Sequence, residues 1–517
     1  MIEKEIPKIK KAFTEKICTK ELFCRNKTLI FLLVVGGLLR LLGLRHGFPF
    51  IFHPDEPSVI RSALGIRFFP NPDHFDWPHL YFYLNYFLYM GFSGFRNFLE
   101  ALRLKPFISD IFPLIWNDPL IFYYLTRLFS ATLGTLTIIP LYLSGKELFG
   151  KRGGILAASI LAIFPYHVWH SHYSVIDVPM LFFFAWAVYF SIKVLFSDKL
   201  LHYILAGAFV GLAASTKYHG GFSAFFLGFV FFAKYLSSKD FPGLLKNSYK
   251  PFLAGITSLV TFLLGTPFAL LDWETFSSTD SAKGAFWQFT NVGSVSFNQQ
   301  IFQFLNAFID KFMHDWSITF VFAFLLAAGY AVYILFRQKE DIALKTKLLA
   351  LFVPAFTFLV YISGFEKNRS HYYMIAYPFV ILGISWFLLT LEKFSKSKEY
   401  VMLLFVVFAF PVVLSVKNML MFALKDTRVV LHDWYGMRLD LKSYKFYSDS
   451  DELKASLTGD GGSAKSPEDY VIGEELSPPY VLVKQCSSDK EFKDQKPFKV
   501  IENTLRRGPE ICIYVQD

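Results

Sequence analysis

Charge is scarce in this 517-residue sequence: 18% of its residues are Asp, Glu, Lys or Arg, where a soluble chain carries roughly a quarter. Cysteine is scarcer still, at four residues. That excludes a disulfide framework and any CxxC metal or redox motif. Cys18 and Cys24 lie in the N-terminal tail. Cys486 and Cys512 lie in the polar C-terminal region, where a bridge and two free thiols both fit the sequence. Internal repeats and low-complexity segments are missing. A cleavable signal peptide is not expected, because the first 27 residues are too long and too Lys-rich for one; Thr28–Leu44 reads as an uncleaved anchor. What abounds is apolar: 54% of residues are hydrophobic, 62 of them Phe, and the mean hydropathy is +0.38. These values define a polytopic membrane protein. The net charge of +10 does not indicate nucleic acid, because the basic residues gather in short patches between apolar runs.

A helix rises about 1.5 Å per residue, so about 20 apolar residues cross a ~30 Å hydrocarbon core. Runs near that length occupy 28–45, 119–144, 153–169, 178–197, 202–216, 219–236, 251–271, 316–336, 344–364, 371–391 and 399–417, giving about eleven spans. The basic tail 1–27 and the links 146–152, 193–199, 234–250, 337–347 and 393–398 alternate with links poor in Lys and Arg. The positive-inside rule then puts the N-terminus in the cytoplasm. The aromatic run Leu80–Phe92 is expected to lie along the interface or re-enter, within a first outer loop of 46–118, because a further span there would turn every later basic link outward. Residues 418–517 change to polar sequence with short β-branched runs (YVIGEE, YVLVKQC, FKVIEN, EICIYV). They read as a small extracytoplasmic α/β or mainly β domain, with GDGGSAKSPED as a loop inside it.

With that orientation the unusual polar residues fall on the outer side, among them His53, Asp55, Glu56, Asp177, Lys217, His219, Arg369 and His371. The stretch FHPDEPSVIRSALGI, 52–66, places two acids between prolines just after the first span. Pro57 suits the first turn of a short interfacial helix. On the bland reading one acid caps that helix and the other is solvated. Against it stands Arg40, a cation within the first span that needs a partner; Glu56 and Asp177 are both candidates. The series His167, His170, His172 lacks a recognised zinc spacing.

A first span with an Arg near its outer end, followed by an Asp-Glu pair opening an interfacial helix, resembles the GT-C glycosyltransferases. The likeness is closer to the branch of the protein O-mannosyltransferases and aminoarabinose transferases. WPHLYFYLNYFLYMGF (77–92), YLTRLFSATLG (124–134), HYSVIDVPMLFFF (172–184), GLAASTKYHGGF (211–222) and HYYMIAYPFVILG (371–383) are similar to further segments of that family, in order over residues 28–390. The family's third motif usually carries two prolines; Trp77-Pro78-His79 has one.

The resemblance implies a sugar carried on a polyprenyl phosphate. The sequence has no Gly-rich βα fingerprint and no P-loop that would suggest a nucleotide sugar. Glycosidases need two carboxylates because an alkoxide must be protonated as it leaves, whereas a phosphate with a pKa near ~6 leaves unaided. Asp55 is therefore expected to be the general base that deprotonates an acceptor hydroxyl, with inversion at the anomeric carbon. Glu56 is expected to orient the acceptor, pair with a cation or help hold a metal. Lys217, Arg369, Arg61 and Arg127 are expected at the lipid phosphate. Arg40, His53, Asp177, Tyr218, His219, His371 and Tyr372 are expected around the substrate. No metal ligands are assigned, and a divalent cation stays open. The expected partners are the lipid-linked sugar, the bilayer and a lipid, glycan or protein acceptor. The alternative is a lipid-linked sugar flippase or another transporter.

Overall fold

The computed structural model describes residues 27–117, 119–291, 293–337, 341–438, 444–448, 450–458, 479–486 and 496–516. The basic tail through Asn26 and the loop 459–469 fall outside them, as does the run YVIGEE. All eleven apolar runs are helical in their central parts. Among the described residues, seven stretches are long and apolar enough to cross a membrane, including Leu120–Ala162, Asp177–Phe196, Ile342–Ile362 and Ser370–Glu392. Three runs form shorter helices, Lys27–Leu41, Leu200–Thr216 and Tyr249–Gly265. Leu120–Ala162 contains two of the eleven runs. Its chain turns back at Gly150, which has φ 77°, a value that favours glycine. The returning segment packs closely enough that a Cβ at Gly145 would meet the Gly153 carbonyl at 2.7 Å.

The basic links meet at one end of the bundle. Lys193 pairs with Glu147 at 3.1 Å, and Lys234 with Asp198 at 2.9 Å. Lys250 and Lys347 donate to the Asp198 and Leu148 carbonyls at 2.8 and 3.0 Å. Arg152 pairs with Glu392 at 2.5 Å. Between the two ends the core is Phe, Leu and Ala, with Phe184, Phe320, Phe324 and Phe379 fully enclosed.

Small residues set the closest helix contact. Leu200–Thr216 lies against Tyr249–Gly265 through Gly207 and Gly211, where an added Cβ would run into the Ala254 and Ser258 carbonyl oxygens. Membrane helices use small residues this way because dispersion between close backbones replaces the hydrophobic drive. Gly207→Ala is expected to cost about 1–3 kcal/mol by overpacking, read as a lowered thermal midpoint in detergent. Gly255→Ala, on the same helix pair with open space around it, is expected to leave the midpoint unchanged.

The first loop is a folded unit. Leu80–Ala101 is one 22-residue helix, longer than the aromatic run alone suggested, and it is not among the seven apolar stretches. Tyr81, Phe82 and Tyr89 on one face pack with Val59, Ile60 and Ala63 of the helix Glu56–Gly65, and with Leu125. The opposite face leaves Phe87, Met90, Phe95 and Phe98 exposed.

The last bundle helix, Ser397–Ala423, continues past Lys417, so the polar region begins near Leu424. Its described residues are α/β, with helices Thr427–Met437 and Asp451–Thr458 and the strands β1 (Lys445–Ser448), β2 (Tyr480–Gln485), β3 (Lys499–Ile501) and β4 (Ile511–Gln516). Their order is β1-β2-β4-β3, with β1 parallel to β2 and the other pairs antiparallel. Cys486 and Cys512 are bonded to each other.

Candidate active site

The two acids after the first span have different surroundings. Glu56 is fully buried. Arg127 Nε and Nη2 donate to its two oxygens at 2.8 and 2.7 Å, and the Ser174 N–H donates at 2.8 Å. The second Arg127 fork donates to the Leu44 and His46 carbonyls at 3.0 and 2.9 Å. Burial alone would raise the Glu56 carboxyl, but the guanidinium and the Ser174 amide hold it below its ordinary value. Every polar edge of the pair is used inside the protein. Of the roles expected for Glu56, the structure shows the pairing with a cation, Arg127, and not a place at the substrate; the expectation that Arg127 is available to a phosphate is corrected, because it is spent on this pair.

Asp55 precedes the helix Glu56–Gly65 in the N-cap position, yet its side chain makes no capping hydrogen bond. Capping therefore does not account for it. Its backbone N–H donates to His53 Nδ1 at 3.2 Å, which requires that nitrogen to be unprotonated. Burial lowers the His53 pKa against the pull of Glu56 and Asp55, favouring the neutral ring. The Asp55 carboxylate lines a 360 Å³ cavity at the bundle end away from the basic links.

Five segments far apart in sequence, within 76–78, 175–177, 217–222, 287–291 and 361–372, supply the rest of that cavity. Asp177 opens the helix Asp177–Phe196. Lys217 precedes the short turn Tyr218–Phe222, and Arg369 precedes Ser370–Ala376. Lys217 Nζ pairs with Asp177 Oδ1 at 2.5 Å and lies 4.9 Å from the Tyr372 ring centre. Asp177 Oδ2 is 3.4 Å from His170 Nε2. His170 stacks on His371 with centroids 5.5 Å apart, and His219 stacks on Tyr372 at 5.7 Å. Tyr218, His219, His371 and Tyr372 all face the cavity, as do Lys367 and Arg369. Tyr218 Oη donates to the Phe75 carbonyl at 2.8 Å.

Three expected residues lie elsewhere. Arg40 meets neither Glu56 nor Asp177. Its guanidinium donates to the carbonyls of Gly36, Leu161 and Ala162 at 2.9, 2.7 and 2.8 Å, and lies 2.9 Å from His167 Nδ1. Two of those carbonyls end the helix Ile138–Ala162, where the negative pole of the helix dipole favours a cation. Arg61 is exposed and donates to the Pro57 carbonyl at 3.2 Å; it does not line the cavity. His53 sits just behind Asp55, against Tyr173 at 4.5 Å.

Several lining residues were not found from sequence. Asp76 shares the cavity with Asp55 and lies 2.5 Å from His74 Nδ1. Its position beside Trp77-Pro78 was the available signal. Trp287, Gln288 and Asn291 come from the long link 272–315, where no motif marks them.

Among the described residues no three His, Cys, Asp or Glu side chains are placed to share a metal ion. His167 turns to Arg40. His172 turns to the Val168 and Leu42 carbonyls, and His170 to Asp177. Turned to these partners, the three histidines do not fit a shared divalent cation.

The structure is thus a bundle of helices of membrane-spanning length, with a polar pocket and an acid-bearing first loop at one end and a small α/β domain beside it. Residues 124–265 match the family described as dolichyl-phosphate-mannose-protein mannosyltransferase. Over 193 residues the chain is 32% identical to dolichyl-phosphate-mannose–protein mannosyltransferase 1 of Saccharomyces cerevisiae. That alignment covers 35% of this chain and 22% of the yeast protein, so the likeness spans about a fifth of the relative. The archaeal oligosaccharyltransferase AglB of Archaeoglobus fulgidus, solved with an inhibitory peptide and a dolichol-phosphate, superposes with a TM-score of 0.50 at 13% identity. The match covers 90% of this chain and 70% of that one. ArnT of Cupriavidus metallidurans, solved with undecaprenyl phosphate, gives a TM-score of 0.47 at 14% identity over 95% of this chain and 99% of ArnT.

Proposed function

We propose that this chain is a membrane glycosyltransferase that moves a sugar from a polyprenyl-phosphate donor to an acceptor hydroxyl, with Asp55 as general base. One observation carries the reading: Asp55, Lys217 and Arg369 share a single cavity, and Phe222 and Tyr361 at its rim also line a second, apolar one. That groove runs between the helices Ser223–Ser237 and Ile342–Ile362, holds 730 Å³, and is lined by Phe225, Phe229, Phe232, Pro354 and Phe358. A polar pocket leading into an apolar slot suits a phosphate head with a prenyl tail.

In the reaction the acceptor oxygen attacks the anomeric carbon from the Asp55 side, and Asp55 takes the hydroxyl proton. The carbon–oxygen bond to phosphate breaks with its electron pair going to the phosphate, inverting the anomeric centre. Lys217, Arg369 and Lys367 hold that departing charge. Asp177 keeps Lys217 in place through their buried pair. Asp76, Trp287 and Asn291 are the side chains for sugar and acceptor hydroxyls.

The same reading orients the chain. The end where the basic links gather is cytoplasmic; the cavity and the C-terminal domain are extracytoplasmic. The Cys486–Cys512 bond suits an oxidising compartment.

The test uses purified protein in liposomes with radiolabelled polyprenyl-phosphate mannose and a hydroxyl-bearing acceptor. Label appearing on the acceptor, with release of polyprenyl phosphate, supports transfer. Movement of intact donor across the bilayer without bond cleavage overturns it in favour of a flippase. Arg369 is exposed on the cavity, so Arg369→Ala is expected to leave stability unchanged. Loss of one charge-assisted contact worth about 1.5–3 kcal/mol is expected to raise the donor KM roughly 10- to 100-fold.

A further inference from the structure

Resting on the assignment of Asp55 as base, we propose that the C-terminal domain is a positioning element of the active site, and that Arg428 and Arg507 clamp the loop that delivers Asp55. The residues just before Asp55 meet this domain directly or through one ring. The Phe50 ring meets His432 edge-on at 5.2 Å. The Arg428 guanidinium carbon lies 3.4 Å from the Phe52 ring centre. His53 packs on Tyr173 at 4.5 Å, and the Arg507 guanidinium carbon lies 5.1 Å from the same ring centre. The His53 ring then accepts the Asp55 N–H, so the chain of contacts ends on the backbone of the base.

Arg428 is held through its side chain and Arg507 through its backbone. Arg428 donates to Asp426 at 2.9 and 2.8 Å and to Glu452 at 2.5 Å, which fixes the plane that Phe52 lies against. Arg507 also covers Phe422 at 4.9 Å, and its carbonyl accepts the Thr427 N–H at 2.9 Å. The next residue, Gly508, has φ 91°, and a Cβ there would strike the Thr427 hydroxyl. The turn carrying Arg507 is thereby locked onto the start of the helix Thr427–Met437. On the other side of Asp55, Glu56 is anchored by Arg127 and Ser174. Asp55 is thus a half-exposed carboxylate between two anchors, one in the bundle and one in the C-terminal domain.

Such an arrangement acts on geometry, since a displacement of about 1 Å of a reacting group costs on the order of 100-fold in rate. Arg428→Lys retains the ion pairs to Asp426 and Glu452 but loses the planar stack on Phe52. Phe52→Leu removes the same contact from the loop side without touching the domain. In the full-length protein with polyprenyl-phosphate mannose as donor, both are expected to lower kcat roughly 10- to 100-fold. The donor KM is expected to stay within about twofold, because the phosphate-binding cations are untouched. Wild-type kcat in both variants overturns the clamp. So does a loss of activity that merely follows a lowered thermal midpoint or a raised donor KM. Asp55→Asn, measured alongside, separates the two ideas. Full activity there removes Asp55 as base, whereas an inactive Asp55→Asn beside fully active Arg428→Lys and Phe52→Leu sinks the clamp alone.

Discussion

Asp55→Asn is expected to reduce sugar transfer about 100- to 10,000-fold, the usual worth of a positioned general base, while the protein keeps its thermal midpoint and its affinity for the lipid donor. The substitution is nearly isosteric, and the Asp55 side chain makes no capping bond whose loss would loosen the helix Glu56–Gly65. An amide cannot take the proton that the acceptor hydroxyl must lose as it attacks. On the proposed reading Lys217 and Arg369 grip the donor, so binding and chemistry are expected to separate. The check is single-turnover transfer from labelled polyprenyl-phosphate mannose, with a parallel binding measurement on the same preparation. Undiminished transfer by Asp55→Asn removes this residue from the mechanism and returns attention to Asp76, the other carboxylate of the cavity without a lysine or arginine pair.

The neighbouring acid is expected to behave in the opposite way. Glu56→Ala or Arg127→Ala leaves one buried charge without its partner, which costs about 3–5 kcal/mol. The guanidinium also satisfies the Leu44 and His46 carbonyls, so Arg127→Ala strands those acceptors as well. Both single variants are expected to lose folded protein in detergent at temperatures the wild type survives. The double variant Glu56→Ala/Arg127→Ala is expected to be less destabilised than the two singles added together, because neither charge is left alone. Thermal unfolding of the four proteins makes the cycle. Additive losses would mean that the two side chains do not act as a pair. Two adjacent acids in one sequence motif are thus expected to give two phenotypes, a stable but inactive protein and an unstable one.

That contrast also marks how far sequence reasoning carries. The helical bundle was legible because apolar runs of sufficient length leave few other solutions in a bilayer, and the basic links showed which ends of those helices lie together. The acid pair between prolines, the lysine turn at 217 and the segment at 369–372 pointed to one end of the bundle, and three of those groups do line one cavity. Arg127 and Arg40 were misread, since a lone arginine near a span end looks the same whether it awaits a ligand or caps a buried carbonyl. Asp76, Trp287, Gln288 and Asn291 carry no spacing signal, because they reach the cavity from loops whose course depends on the packing of the whole first loop and of the 272–315 link.

Local pattern therefore determined the class of protein, the helical runs, the polarity of their two ends and the neighbourhood of the chemistry, since hydrophobic length and charge alternation act within a few turns of chain. Which acid is free to take a proton, which arginine is already spent on a buried partner, and how the C-terminal domain holds the loop before Asp55 were decided only in three dimensions. Burial and pairing are settled by residues 40 to 127 positions away, and no short stretch of sequence contains them.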